Sequence, residues 1–355
     1  MVPLLLLLLA APSAFAADSY ESIPPDEADA AATITKTIDE QVVKDKQETG
    51  SAHRDAHMKA HGCVKARFTV EPSLPPELQQ GVFQAGRAYP AWIRFSNGSG
   101  KSQNDAVDDA RGMAVKLMGV PGDKLADEKA TQDFLMISGP VFFVRNAADY
   151  VEFTTDAAAG KPMRFFFRGA NPFRWRMHEL RAALNLLHRR TSNPLHARYW
   201  SVASFLMGAS GPAKFSARPC VKPRAGTSDT RNPDFLRAAM AKQLKDSSAC
   251  FEFMAQLQTQ PDKMPVEDPT IEWKEKLSPF RKVATIDIPA QTFDSPAQRK
   301  FCEELSMNPW HAVAEHRPLG GINRVRRVVY AAISTLRHGL NGAARVEPTG
   351  EEKFE

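Results

Sequence analysis

Four short stretches hold the residue types most able to do chemistry. Near the end, GGINRVRRVVYAAISTLRHG (320–339) sets Arg326 four residues before Tyr330 and Arg337 seven residues after it. Residues at those spacings share one face of a helix. The chain has only 5 tyrosines, and a guanidinium one turn away favours the ionised form of a phenol, whose pKa is ordinarily about 10. The stretch SAHRDAHMKAHGCVKARFTV (51–70) steps His53, His57 and His61 four apart, one face if helical. Three imidazoles could ligate a metal. No carboxylate or cysteine joins them at a ligand spacing, however, and Gly62 interrupts the helix, so polar surface is the simpler reading of this stretch alone. In AWIRFSNGSGKSQNDAVDDARGMAVKLMGV (91–120), Arg94 leaves an apolar strand for a loop with Ser96, Asn97 and several Asp, and Arg111-Gly112 opens the next strand. Gly98 and Gly100 do not make G-x-G-x-x-G and no Lys-Ser/Thr follows, so a nucleotide-binding loop is not supported. Finally SGPVFFVRNAADY (138–150) gathers Phe142, Phe143 and Tyr150, which alone reads as core packing.

The elements that must position these residues are legible in outline. Ile34, Ile38 and Val42 recur every four residues in a polar segment, which predicts an amphipathic arm over 17–50. From 64 to 145 the texture is strand-like: VKARFTVEP, PAWIRFSNGS, RGMAVKLMGV, QDFLMIS and PVFFVRN are β-rich runs punctuated by Gly, Pro, Asn and Asp. FRWRMHELRAALNLLHRR (173–190) reads as a helix. RYWSVASFLMG, AKFSARP, CFEFMAQLQTQ and KVATIDIPAQTF read as further strands, and 321–341 as a closing helix. The expectation is an α+β fold, an antiparallel β-barrel carrying 64–145 and 197–295 with helices packed on it, rather than alternating βαβ units. The expected organisation is a signal peptide at 1–16, an arm at 17–50, one domain at 51–345 and a tail at 346–355.

Composition bounds the rest. The chain has 355 residues, 43% hydrophobic, enough for a sizeable core. Net charge is +5, with acidic and basic residues well mixed. No basic block with interleaved aromatics stands out, so neither nucleic acid nor a membrane is expected as a partner. Six consecutive Leu followed by Ala14-Phe15-Ala16 form a short apolar core with an A-x-A cleavage pattern, although no Lys or Arg precedes it. Cleavage after Ala16 and a periplasmic or secreted location are expected. Cys63, Cys220, Cys250 and Cys302 contain no C-x-x-C. They allow three full pairings or free buried thiols, with no choice between them in the sequence.

Taken together, the four stretches resemble the catalase superfamily, in the same chain order. Catalases carry R-x-x-H-x-K-x-x-G, here Arg54, His57, Lys59 and Gly62, then an R-F-S strand end, here Arg94-Phe95-Ser96. They carry D-x-R-G-x-A-V-K, here Asp109, Arg111, Gly112, Ala114, Val115 and Lys116, and P-x-F-F-x-R, here Pro140, Phe142, Phe143 and Arg145. They end on R-x-x-x-Y with an Arg seven residues on, here Arg326, Tyr330 and Arg337. The resemblance implies a haem pocket, with haem b as the cofactor. Tyr330 is then the proximal iron ligand, Arg326 keeps its phenol ionised, and His57 is the distal acid–base. Arg54, Arg94 and Arg337 would contact the propionates. Phe142 and Phe143 would wall the distal side, and Tyr150 stands where catalases stack a Phe. His53 and His61 match nothing catalytic and are left as surface or supporting residues.

The match departs in two places. Catalases place an Asn shortly before P-x-F-F; here the stretch is Met136-Ile137-Ser138-Gly139, and Ser138 is the candidate for a single peroxide hydrogen bond. The chain is also short for a catalase, which is similar to the catalase-related peroxidases. The expected function is therefore a haem peroxidase that reduces hydrogen peroxide or organic hydroperoxides with an organic donor, leaving room for weak catalase activity. An exported haem-binding protein with little turnover and an allene-oxide-synthase-like activity are the alternatives. The resemblance also implies a homodimer, because arms such as 17–50 exchange between subunits in this superfamily.

Overall fold

The computed structural model describes residues 20–221 and 229–354; the apolar amino terminus and Ala14-Phe15-Ala16 lie outside them. Ile34, Ile38 and Val42 are the buried stripe of helix α1 (Glu27–Thr49), which Gly50 ends in a left-handed conformation at φ 80°. The stripe packs on α2 (Ala147–Ala158) and α7 (Gly321–Asn341) of the same chain. The expected arm is thus a helix seated on its own domain.

The alternating segments form strands β1 (Ala60–Val70), β2 (Ala88–Asn97), β3 (Arg111–Met118), β4 (Thr131–Ile137), β5 (Tyr199–Trp200), β6 (Phe205–Leu206), β7 (Pro212–Pro219), β8 (Ala249–Leu257) and β9 (Arg281–Ile288). Every pairing is antiparallel. The order β5-β4-β3-β2-β1-β9-β8-β7 closes into an eight-stranded barrel because β5 pairs with both β4 and β7, and β6 lies beyond β7. Phe68, Phe83, Phe134, Phe215 and Phe253 fill its interior, with Phe134 and Phe253 centroids 4.9 Å apart. Such a barrel is a packed core, so any large cavity must lie outside it.

The helices α3 (Met163–Phe166), α4 (Met177–Leu187), α5 (Phe235–Asp246) and α6 (Pro296–Glu304), with α1, α2 and α7, flank the barrel. Three expectations change. PVFFVRN is not a strand: Pro140 has no N–H for a ladder, and the chain leaves the sheet after Ile137. The helix expected over 173–190 is shorter, a turn at Pro172–Arg174 followed by α4. The three-histidine stretch is a loop running into β1, not a helix, so the histidines share no face.

Disulfides join Cys63 to Cys302 and Cys220 to Cys250. The first pins α6 to β1 across 239 residues. The tail is ordered: Glu347 accepts from the Lys129 and Ala130 amides, and Glu352 from Trp92 Nε1 at 2.8 Å. No helix among the described residues is long and apolar enough to cross a membrane.

Candidate active site

Helix α7 presents Ile322, Val325, Arg326, Val329, Tyr330, Ile333, Ser334 and Arg337 to a cavity. The steps of three and four make this one helical stripe. The facing wall comes from the outer side of the barrel: Arg94 and Ser96 of β2, Gly112 and Ala114 of β3, and Leu135 and Ile137 of β4. Residues two apart on a strand point the same way. The loop Arg54–His57, Phe142, Tyr150, Val202 and Leu305–Met307 complete the lining.

His57 is held by a dense set of contacts. Its backbone sits at φ 56°, a left-handed conformation that costs energy for any residue but Gly and that tends to persist at functional sites. Its amide donates to Gly98 O at 3.1 Å, and its carbonyl accepts from Arg94 Nη2 at 2.8 Å. Ring Nδ1 lies 3.0 Å from Ser96 Oγ. A Cβ on Gly112 would stand 2.5 Å from His57 Nδ1, so only glycine there lets the imidazole lie against β3. Burial, then Arg94, push the His57 pKa down to about 4. The ring is a neutral base at neutral pH.

Tyr330 lies one turn from Arg326, whose guanidinium sits 4.9 Å from the phenol ring centroid. No hydrogen bond reaches the Tyr330 hydroxyl among the described residues. Tyr150 meets Phe142 edge-on at 6.1 Å. Desolvation, then Asp55, raise the Tyr150 pKa, so it stays a neutral phenol.

Arg54, Arg94 and Arg337 converge, and a residue absent from the sequence reading joins them. Glu303 of α6 accepts from Arg54 Nη1 at 2.7 Å and lies 3.8 Å from Arg94 and 3.7 Å from Arg337. Burial alone would raise the Glu303 pKa; Arg54, Arg94 and Arg337 outweigh it and hold the carboxylate below its usual range. Burial, then Arg54, push Arg94 and Arg337 down to about 9, and both stay cationic at neutral pH. Three guanidiniums against one carboxylate leave a net charge of +2. Arg94 Nε is buried without a hydrogen-bond partner. An uncompensated cationic cluster with an orphaned donor fits a ligand that brings carboxylates. Together with a free phenolic oxygen and an apolar lining, these residues fit haem.

Two expected site residues sit elsewhere. Ser138 does not line the cavity; its hydroxyl accepts from the Arg111 amide at 2.9 Å, and the neighbouring Ile137 forms the wall instead. Phe143 stands behind Phe142, packed on Phe153 at 4.7 Å. His61, read as surface or supporting, is fully buried and bonds Asn97 Oδ1 at 2.9 Å; His53 pairs with Asp45 at 2.9 Å. Ser96 had a signal in the sequence, two residues beyond Arg94 on one strand face. Glu303 had none.

A second charged cluster lies away from the cavity. Glu128, Asp133 and His311 could hold a metal ion, but the ammonium of Lys116 occupies their centre. It donates to Glu128 and, at 2.9 Å, to Asp133, and stands 3.2 Å from His311 Nδ1.

The family model for catalase matches residues 35–171. The catalase-related peroxidase of Mycolicibacterium paratuberculosis (strain ATCC BAA-968 / K-10) is 28% identical over 306 residues, covering 79% of this chain and 87% of that protein. Among solved structures, a bacterial catalase aligns with a TM-score of 0.63 at 15% identity, over 86% of this chain and 62% of that one. Catalase A from Saccharomyces cerevisiae aligns at 0.65 and 16%, over 88% and 67%. The chain therefore spans less than two thirds of the bacterial catalase it matches, and the shared part is the barrel with its flanking helices. Family model, homologue and fold agree in direction: the chain is similar in sequence to the catalase family over residues 35–171 and to a catalase-related peroxidase, and it has the fold of the solved catalases.

Proposed function

We propose that this protein is a haem-dependent peroxidase that reduces hydrogen peroxide or an organic hydroperoxide with electrons from an organic donor. The observation that carries this reading is that His57 and Tyr330 meet in one cavity beside a cationic cluster of net charge +2. Tyr330 would hold the iron through its phenolic oxygen, and Arg54, Arg94 and Arg337 would hold the propionates. Haem, when bound, supplies the redox-active iron at which a peroxide O–O bond is cleaved. Haem b suits the chain because all four cysteines are in disulfides, leaving no thiol for covalent attachment.

The acid–base work falls to His57. With Nδ1 tied to Ser96 Oγ, Nε2 is the nitrogen that exchanges a proton with a bound hydroperoxide. It accepts the proton of the hydroperoxide group and returns it to the departing oxygen. Arg94 serves twice, holding the His57 carbonyl and keeping the ring neutral.

The wall beside His57 favours organic hydroperoxides. Leu135, Ile137, Phe142 and Val202 are apolar, and no side-chain amide stands among them to hold the second oxygen of hydrogen peroxide. An alkyl group buries apolar surface there. Export belongs to the same proposal, since two disulfides suit an oxidising compartment.

The test is the absorption spectrum of purified protein with hemin, followed by titration with hydrogen peroxide and cumene hydroperoxide in the presence of a phenolic donor. The reading expects haem bound through Tyr330, a spectrum altered in Tyr330→Phe, donor oxidation lost in His57→Ala, and faster turnover with cumene hydroperoxide. Bound haem with no donor oxidation would instead support a haem-retaining protein without turnover. An unchanged spectrum in Tyr330→Phe would refute the ligand.

A further inference from the structure

Seven of the fourteen large apolar side chains exposed among the described residues fall between Met163 and Leu187. Scattered exposed apolar groups need no explanation; a contiguous group does. Phe173, at the tip of the Pro172–Arg174 turn, is 97% exposed, Met177 53% and Met163 52%. On α4, Met177, Arg181 and Leu184 recur on the outward face, while Ala182, Ala183 and Leu186 face inward. The underside is fixed: Phe165 and Phe166 are buried against Phe143, Phe153 and Leu180. The exposed side chains thus stand on a packed platform.

The same segment, 161–190, holds eight Lys and Arg and one carboxylate, Glu179, which is buried against Arg145. Carboxylates of α2 answer Arg164, Arg168 and Arg176, and Asp108 answers Arg190. Among the described residues no ion pair involves Lys161, Arg174, Arg181 or Arg189. A helix and turn rich in Phe, Trp, Met and Leu with interleaved cations is what lies in the plane of a lipid interface.

We propose that this lobe docks on an anionic phospholipid bilayer, with Phe173, Met177 and Leu184 entering the headgroup boundary and Arg174 and Arg181 meeting lipid phosphates. This proposal departs from the expectation of no membrane partner, which found no basic block with interleaved aromatics in the sequence. A second copy of the chain fits less well, because a two-fold contact through this lobe would bring unpaired Arg174 and Arg181 of both copies together. Nucleic acid fits less well, because four of the seven exposed apolar side chains, Met163, Met177, Leu184 and Leu187, offer no ring for base stacking, and the rings of Phe167 and Trp175 already pack on each other at 5.3 Å. The proposal does not depend on the peroxidase reading.

The test is co-sedimentation of the haem-loaded full chain with phosphatidylcholine vesicles, with and without phosphatidylglycerol, beside light scattering of the protein alone. Binding is expected only to the anionic vesicles and is expected to weaken with salt. Arg174→Glu should weaken it about fivefold or more, since each cation near an anionic surface contributes about 1 kcal/mol. Phe173→Ser should weaken it about tenfold. Both residues are exposed, so unchanged melting will show that the fold persists. No binding to anionic vesicles at low ionic strength would overturn the proposal, as would binding indifferent to both substitutions. Self-association abolished by Phe173→Ser, or preferential retention by an oligonucleotide, would overturn it in favour of the other occupants.

Discussion

Glu303→Gln probes the cationic cluster most directly. Glu303 bonds Arg54 at 2.7 Å and stands within 3.8 Å of Arg94 and Arg337, so glutamine removes the one negative charge that three guanidiniums share. Breaking a fully buried ion pair costs about 3–5 kcal/mol. The Glu303 side chain keeps 30% exposure, and glutamine still offers an oxygen to Arg54, so about 2 kcal/mol is expected. For a chain of this size that lowers the melting temperature by about 3 °C. The pH dependence fixes the sign. Glu303 has a depressed pKa in the fold, so its contribution is present above the unfolded value of about 4.3 and is lost as pH falls through the lower folded value. The gap between wild type and variant should therefore be full at pH 7 and close in strong acid. Added hemin should narrow it, because propionates would supply the missing charge. The assay is differential scanning fluorimetry of the apo and hemin-loaded proteins across pH. Equal melting of both proteins at pH 7, or a gap that persists in acid, would refute the reasoning.

Other consequences can be measured separately. Because burial and Arg94 hold the His57 pKa at about 4, the second-order rate with peroxide should stay flat from neutral pH to about 5 and fall tenfold per unit below about 4; a fall beginning near 6.5 in stopped-flow traces would show a solvated imidazole. Replacing Cys63 and Cys302 by Ser frees a 239-residue span, which chain entropy values at about 5.5 kcal/mol, against about 3.6 kcal/mol for the 30-residue span of Cys220 and Cys250. Urea titration of the two double variants should rank them in that order, and the reverse ranking would refute the entropic account. Lys116→Met leaves Glu128 and Asp133 facing each other beside His311 without their shared cation, and a loss of about 3–5 kcal/mol in urea titration is expected. A loss below 1 kcal/mol would mean that the cluster reorganises around bound water.

The periodic elements and the barrel they form were legible; the strand through which it closes was not. The four-residue recurrence of Ile34, Ile38 and Val42 led to α1, and the stripe through Arg326, Tyr330 and Arg337 led to α7, because each helix buries one continuous face. The barrel, by contrast, closes through β5, two residues long, whose Tyr199 and Trp200 pair with Ala217 and Ser216. The run RYWSVASFLMG read as one strand, but it folds as two pairs, β5 and β6, and two residues cannot display the alternation that would single out Tyr199 and Trp200 as the strand joining the two halves. The basic, aromatic lobe at 161–190 was passed over for another reason: the sequence does not show which of its cations are answered by carboxylates and which of its apolar side chains stay exposed.

The site shows the limit most clearly at Ile137 and Ser138. Chemical type favoured Ser138, the polar residue of the pair, for contact with peroxide. Strand parity decides otherwise: Leu135 and Ile137 share the face turned to α7, while Met136 turns into the barrel core. Past the strand end, Ser138 turns its hydroxyl back to the Arg111 amide, where it satisfies a buried donor. The cavity wall is therefore apolar for a reason set by register, Ile137 lying opposite Gly112, the glycine that admits His57. One backbone pairing thus places the imidazole against β3 and an aliphatic wall beside it. Glu303 lies beyond any such inference, because it reaches Arg54 across 249 residues from a helix pinned by Cys63–Cys302. A contact of that kind has no local pattern to announce it, and only the folded chain brings the carboxylate to the three guanidiniums it neutralises in part.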